Sequence, residues 1–356
     1  MDGRTFTGHL PLDTPMLVGG MVLVSTPSQT RLGQVVEKVV EGHRVAVRGL
    51  LLAALDPGPV LRPLVPAPFA GASLDPASAD VLVAHQAMVG ADLPVATLSV
   101  DGAEVPARLR SRGFNRHTFL CGQSGSGKTY ALGVLLERLL LGTGLRMVVV
   151  DPNADYVHLG RQREGIDPAV VDRLRESTVR VLRAVAPGEQ VHEPDPLGAE
   201  PLVTLFPELS PAAKSALIGL DPLRDRNEYT LMLDLVERMR SGEVDDLESE
   251  LLTSPDPAAM ALAQRMHNLG VDRWTLWAQG RTPLREVVDA GARATVLDLS
   301  GFSTSTERSA ATVALLDHLW EQRESRVPTL IVIDEAHNVC SAEPEDKVQA
   351  LATERL

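Results

Sequence analysis

The chain has few cysteines and few aromatic residues, and it contains no long uncharged apolar run. Its 2 cysteines, Cys121 and Cys340, lie in different strand-like segments without metal-ligand spacing, which argues against a disulfide framework or a zinc site. The N-terminus has no basic segment followed by an apolar one, and no stretch of about 18 apolar residues occurs elsewhere. These absences predict a protein of the reducing cytoplasm that is neither secreted nor membrane-spanning.

Positive charge is also scarce, since 34 lysines and arginines face 47 acidic residues and give a net charge of -13. This balance excludes a surface coated with basic residues for nucleic acid, although basic side chains can still concentrate in a ring or pore. Hydrophobic residues make up 44% of the 356 residues, which is typical of folded soluble domains and allows about two or three of them.

From Val18 to about Val100 the sequence consists of short β-branched runs separated by glycine and proline. The runs are VGGMVLVST, RLGQVVEKVVEG, HRVAVRGLLL, DVLVAH and LPVATLSVDG. Several short strands at this spacing predict that residues 1–105 form a small, mainly antiparallel β-barrel or sandwich. A strand-rich extension without closed topology is the alternative, and the proline-rich stretch 56–76 is predicted to be a loop or linker.

The pattern changes at His117 to a strand, a glycine-rich turn, a helix and a strand, written HTFLCGQSGSGKT, YALGVLLERLLLGTG and LRMVVVDPN. Such a βαβ unit predicts a parallel sheet covered by helices. The α/β pattern resumes after residue 290 with the strand ATVLDLSG, a helix and the strand VPTLIVIDEAH. The sequence therefore predicts an α/β core formed by residues 106–160 and 291–356, interrupted by a helical insertion at residues 161–290.

The octapeptide GQSGSGKT is a full match to the phosphate-binding loop pattern G-x-x-x-x-G-K-[ST]. Its glycines allow backbone amides to point at phosphate oxygens, Lys128 can reach the β and γ phosphates, and Thr129 can offer its hydroxyl to Mg²⁺. An incidental glycine-rich turn is the alternative. The residues predicted to contact ATP are Gly122, Gln123, Ser124, Gly125, Ser126, Gly127, Lys128, Thr129 and Tyr130.

Acidic residues follow two of the predicted strands. Asp334 and Glu335 end the apolar strand TLIVI, where Asp334 is predicted to hold Mg²⁺ and Glu335 to polarise the attacking water, with Lys128 as the second catalytic residue. Asp151 and Asp155 follow VVV and are predicted to face the γ-phosphate or the metal; a turn with a capping aspartate is the equal alternative.

Two further segments predict structural roles. The segment DLSGF, residues 298–302, matches the signature loop of ABC transporters only in part, because Phe302 and Ser303 stand where glycine and glutamine follow in that family. A polar turn after a core strand is the better interpretation. Trp274 and Trp277 could stack on bases or line a subunit contact, but burial in the helical insertion is predicted.

Other classes of P-loop protein fit less well. The chain lacks the Asn-Lys-x-Asp motif of guanine-specific GTPases, and its two nucleotide motifs lie much farther apart than those of DEAH-box helicases. Small-molecule kinases normally lack a glutamate at the position of Glu335, so this residue favours hydrolysis.

The ordered motifs resemble those of the HerA family in the HerA/FtsK superfamily. GQSGSGKT is similar to its P-loop, VVVDPNADY to its D-P-H-G-E-Y element, LSPAAKSALIGLDPLRDRNEY to its helical insertion, and VLDLSG and VIDEAHN to the strands that follow. The strand-rich N-terminus resembles the HAS-barrel. Asn153, Ala154 and Asp155 depart from the family's usual His, Gly and Glu.

The resemblance implies a RecA-like core within a homohexameric ring that binds ATP at subunit interfaces and drives duplex DNA through its pore. A nuclease of the NurA type is the implied partner, in DNA end processing or defence. Leu356 precedes the strand in which the family carries a sensor glutamine and an arginine, so the resemblance predicts a truncated chain. The alternatives are an FtsK-like or conjugation-type pump for DNA or protein, and a nucleotide-binding assembly module with little turnover.

Overall fold

The computed structural model describes residues 3–14, 16–100, 103–161, 170, 172–174, 177–184, 198–278 and 280–356. Contacts divide the chain into two compact units, Met1–Phe119 and Leu120–Leu356. The domain limits expected at residues 105, 160 and 290 stay predictions. In the described ranges, every helix is too short or too polar to cross a membrane.

Unit 1 contains an antiparallel sheet, a helix and a separate hairpin. The sheet has the order β1-β4-β3-β2-β6, with β5 paired to β4, and β7 pairs with β8 in a separate two-stranded sheet. The elements are β1 Thr5–Pro11, β2 Met21–Ser25, β3 Thr30–Glu41, β4 Arg44–Asp56, β5 Val60–Pro63, β6 Ser73–Pro76, α1 Ala79–Met88, β7 Leu93–Val100, β8 Ala103–Leu109 and a 3₁₀ turn at Ser111–Asn115.

The core of this sheet forms around Phe6, which is 1% exposed. Its ring lies against Gly33 and Gly49, where an added Cβ would come within 2.7 and 2.1 Å of ring carbons. Alternating side chains of β4, such as Val45 and Val47, point into the same core because successive strand residues face opposite sides. Barrel closure stays a prediction, because no pairing joins the outer strands β1 and β6 within the described residues.

Two predictions for unit 1 are wrong in detail. DVLVAH is not a strand but part of α1, which buries Val81 and Leu82 and leaves its other residues half-buried or exposed. The proline-rich stretch 56–76 contains β5 and β6 instead of being only a loop. Gly58 has φ of 80°, and this left-handed conformation allows the chain to turn back so that Val60 pairs with Asp56.

Unit 2 is built on a parallel sheet of order β11-β10-β12-β9-β13, surrounded by helices. Strand β12 is buried along its whole length and β9 from Met147 onwards, which explains their apolar sequences. The elements are α2 Lys128–Gly142, β9 Arg146–Asp151, β10 Val179–Arg183, β11 Glu200–Pro201, α3 Pro211–Leu217, α4 Arg226–Arg240, α5 Leu247–Thr253, α6 Pro257–Leu269, α7 Leu284–Asp289, β12 Ala294–Asp298, α8 Ser305–Glu321, β13 Thr329–Ile333 and α9 Lys347–Arg355.

The strand expected before the glycine-rich loop does not form. Residues 117–123 have no regular structure, and the side chains of Phe119 and Leu120 are 91% and 52% exposed. A strand is stable only when a neighbouring strand satisfies its backbone groups, and no described strand pairs with this segment. The segment therefore remains outside the sheet despite its apolar sequence.

The region 161–290 is not purely helical, because it contributes β10 and β11 to the sheet. β10 lies between β11 and β12, so part of this region belongs to the core. Helices α3, α4 and α6 also lie in this region. Trp274 is 8% exposed, which confirms its predicted burial, and it stacks on the half-buried Trp277 with ring centroids 6.0 Å apart.

We predict that Gly49→Ala destabilises unit 1 by about 1–3 kcal/mol, because the added methyl group overlaps the Phe6 ring and the core cannot easily expand. Denaturant unfolding followed by circular dichroism measures the loss. Gly113→Ala is the matched control, since its Cβ would lie 3.9 Å from the nearest atom, the Cβ of Arg110. Equal stability of the two variants would contradict the packing at Phe6.

Candidate nucleotide-binding site

The glycine-rich loop is an exposed turn that leads directly into α2. Gly125 and Gly127 have φ of 75° and 86°, values that side chains with a Cβ rarely adopt. The amide of Ser126 donates to the Gln123 carbonyl at 3.1 Å, and the ammonium of Lys128 donates to the same oxygen at 3.4 Å. These contacts curl the loop and keep Lys128 beside it.

The first turn of α2 offers unsatisfied positive partial charge. Gly127 precedes the helix without a side-chain cap, and no acidic residue lies in the first turn, which begins with Lys128 and Thr129. Free amides and the helix dipole at such an end attract anions, and the Lys128 charge adds to them. The loop and helix end together have the properties of a phosphate site.

The direction of α2 places this helix end at the carboxyl edge of the sheet. The helix ends at Gly142, close to the start of β9 at Arg146, and therefore runs back along the strand. A 15-residue helix is about 22 Å long and a 6-residue strand about 20 Å, so the two span similar distances. Gly133, near the start of α2, also lies close to the turn after β9, because a Cβ added to Gly133 would be 4.0 Å from Cε1 of Tyr156 in that turn.

Three neighbouring strands end in aspartates at this edge. Asp298 pairs in register with Asp151, and Ile333 pairs with Val150, so Asp334 follows beside Asp151. The Asp334 amide donates to the Val150 carbonyl at 3.1 Å, which extends the ladder by one bond. The parallel register therefore brings the acidic ends of β12, β9 and β13 together.

Asp151 is fully buried and holds the turn after β9. Its carboxylate accepts the amides of Asn153, Asp155 and Tyr156 at 3.3, 3.0 and 2.8 Å. Burial raises the pKa of Asp151, and the three amides oppose this shift. The sequence left two roles open for Asp151, and this geometry supports the aspartate that caps a turn. Asp155 is exposed, and nucleotide contact by either residue stays a prediction.

Tyr156 connects this turn to Asp334. Its side chain is 3% exposed, and its hydroxyl donates to Oδ2 of Asp334 at 3.2 Å. Burial, followed by the Asp334 charge, raises the pKa of Tyr156, so the phenol keeps its proton and remains a donor. The other oxygen, Oδ1, accepts the Glu335 amide at 2.9 Å, and the Asp334 carboxylate is therefore oriented from both sides.

Glu335 occupies a strained backbone position beside Asp334. Its φ of 46° lies in the left-handed region, which costs a residue with a side chain on the order of 1–2 kcal/mol. Its Oε2 lies 3.3 Å from Nδ1 of His337, and the glutamate side chain is 35% exposed. The backbone thus holds the partly exposed carboxylate of Glu335 next to the carboxylate of Asp334, which hydrogen bonds orient.

Sequence reasoning missed Tyr156 and Asp298. Asp298 is 1% exposed, and its Oδ2 lies 3.0 Å from Nε of Arg183. Its Oδ1 accepts the amide and hydroxyl of Ser300 at 3.0 and 2.6 Å, which makes the segment after β12 the polar turn that was predicted. The pattern of three apolar strands each ending in aspartate could have indicated Asp298.

Fold and site together define a P-loop ATPase core. The family model of the helicase HerA central domain matches residues 94–319, well over half of the chain. The chain therefore belongs to the HerA family. The match includes the glycine-rich loop but not Asp334 and Glu335, whose roles rest on their geometry. No curated protein matches the chain.

The residues present fit a nucleotide with Mg²⁺. The uncapped end of α2 and Lys128 supply donors for phosphate oxygens, and Thr129 and Asp334 supply the oxygen ligands that Mg²⁺ prefers. Asp334 is already oriented by Tyr156, as expected for a metal-binding carboxylate whose position must be precise.

We predict that Tyr156→Phe raises the Mg²⁺ concentration needed for half-maximal ATP hydrolysis by about 10-fold, because Asp334 loses the donor that orients it. The turnover rate at saturating Mg²⁺ should stay near that of the unaltered protein. A Mg²⁺ titration of ATP turnover measures both quantities. Tyr229→Phe, which removes a hydroxyl from α4, is the control and should leave the titration unchanged.

Proposed function

We propose that this protein is an ATP-dependent DNA translocase of the HerA type, in which a ring of six copies moves duplex DNA. Membership of the HerA family supports the proposal. The observation that carries it is the geometry of one sheet edge, where the phosphate-binding end of α2 and the carboxylates of Asp334 and Glu335 lie on the same side of unit 2.

The residues at this edge suit hydrolysis of the terminal phosphate. Lys128 and the free amides of α2 offset the charge of the β and γ phosphates, and Thr129 with Asp334 holds Mg²⁺. The metal supplies positive charge to the phosphate oxygens. Water attacks the γ-phosphorus as the bond to the β–γ bridging oxygen breaks, and Glu335 accepts the proton of the water, giving ADP and phosphate.

The proposed partners of the ring are duplex DNA and a nuclease. A ring pore can bind duplex DNA although the chain carries a net charge of -13, provided that basic residues concentrate where the DNA passes. A NurA-type nuclease is the proposed partner, and end processing or defence in the cytoplasm the proposed setting. A pump of the FtsK or conjugation type would use the same ATPase core to move a different DNA or protein substrate.

A nucleotide-binding assembly module with little turnover is the second candidate. It is favoured by the segment 117–121, which leads to the phosphate-binding loop without support from the sheet and leaves Phe119 91% exposed. A loop held in this way can bind phosphate while the reacting groups stay poorly aligned, and alignment accounts for a large part of catalysis.

We predict that duplex DNA stimulates ATP turnover by the assembled ring. The experiment measures ATP hydrolysis with and without duplex DNA, and mass by light scattering in the same samples. Lys128→Ala is the control and should abolish ATP binding, because the phosphates lose their main cation. Ring formation with ATP but without turnover or DNA response would favour the assembly module. Absence of both ring formation and ATP turnover would contradict the translocase.

We predict that Glu335→Gln keeps ATP binding but lowers the turnover rate by at least about 100-fold, because an amide cannot accept the proton of the attacking water. Binding of a fluorescent ATP analogue and single-turnover hydrolysis separate the two effects. Glu343→Gln removes a nearby exposed carboxylate and should change neither. Turnover by Glu335→Gln at the rate of the unaltered protein would assign the base to another residue.

A further inference from the structure

A stretch without acidic residues runs from β8 into α2. Residues 105–136 contain no aspartate or glutamate, in a chain that has 47 acidic residues against 34 basic ones. Four arginines fall in the first part of this stretch and are exposed. We call them the arginine strip: Arg108, Arg110, Arg112 and Arg116.

The backbone presents the first two arginines on one face. Arg108 lies in β8, and Arg110 continues it with extended angles, φ of -86° and ψ of 113°. Residues two apart in an extended chain point to the same side, whereas Val105 points to the opposite side and is 3% exposed. Burial of the Val105 face therefore turns the arginine face towards solvent.

The turn that carries Arg112 is fixed by Asp92. Its two carboxylate oxygens accept the amide and the hydroxyl of Ser111 at 2.8 and 2.6 Å. The Asp92 amide also donates to the Leu109 carbonyl at 3.0 Å, so the end of β8 is held on both sides. This carboxylate is therefore engaged by Ser111, and its charge also acts on Arg112.

No ion pair or hydrogen bond of a side chain in the arginine strip is found within the described residues. Other arginines of the protein are paired, for example Arg180 with Glu200 and Arg265 with Asp225. Four like charges within nine residues repel one another unless an anion binds them. A phosphate-rich polymer relieves that repulsion, and the planar guanidinium group matches phosphate oxygens.

We propose that the arginine strip binds the sugar-phosphate backbone of duplex DNA, without reading its sequence. The inference rests on the proposed function, because the arginine strip is proposed as the surface through which the translocase contacts DNA. Phosphate contacts carry no base information, which suits a protein that must move along any sequence. Each contact releases counterions, so binding should weaken steeply as the salt concentration rises.

The test is a salt titration of duplex binding by fluorescence anisotropy, with two labelled duplexes of unrelated sequence. For the unaltered protein, the two duplexes should bind equally. Arg108→Gln combined with Arg110→Gln should weaken binding and reduce the slope of log affinity against log salt by up to about 1.8, since each phosphate contact contributes about 0.9. Arg112→Gln combined with Arg116→Gln should give a similar change, which guards against a folding defect of the first pair.

The matched control is Arg44→Gln combined with Arg48→Gln, which removes the same charge from exposed positions of β4. This control should keep the slope of the unaltered protein. If all three pairs change the slope equally, general charge explains binding and the arginine strip is rejected. If both strip variants bind as the unaltered protein does, the strip is also rejected while the translocase proposal stands. Absence of DNA binding by the unaltered protein overturns both proposals.

Discussion

The buried carboxylate of Asp151 is the constraint on which the candidate site depends. Placing an ionised carboxylate in a protein core costs several kcal/mol unless its oxygens are hydrogen-bonded. Three amides of the turn after β9 meet this requirement, and they do so only if the backbone folds tightly around the carboxylate. The same turn brings Tyr156 over the sheet, where its hydroxyl reaches Asp334 on the neighbouring strand. A charge at the end of one strand thus fixes a carboxylate at the end of another.

The sheet also explains how residues distant in sequence meet. β9 pairs with β12 on one side and with β13 on the other, and all three run in the same direction. Parallel strands present their carboxyl ends at one edge, which is where open α/β sheets bind ligands. Since α2 runs back along β9, its phosphate-binding end comes to that edge as well. The site is therefore a consequence of strand direction and register, with few direct side-chain contacts between its parts.

Much of this arrangement could be predicted from sequence, and the exceptions have physical reasons. The glycines and Lys128 have a spacing that few other structures require, and β9, β12 and β13 are apolar runs, of which β9 and β12 are buried and β13 is half-buried. The contact of Tyr156 with Asp334 depends on register between two strands, which neither segment encodes alone. β10 is a five-residue strand with arginines at positions 180 and 183, so its periodicity is too short to identify. The segment 117–121 has the composition of a strand, but pairing needs a neighbour.

The distribution of charge determines which acids at the sheet edge can hold a cation. Asp298 accepts hydrogen bonds from Arg183 and Ser300, Asp151 accepts them from backbone amides, and both side chains are buried away from solvent. Asp334 and Glu335 remain partly exposed, which leaves them as the acids of these three strand ends that can face solvent or a metal. The stretch 105–136 that contains the phosphate-binding loop has no acid at all. A chain of strongly negative net charge thereby keeps acidic residues out of the segment that carries its phosphate-binding loop.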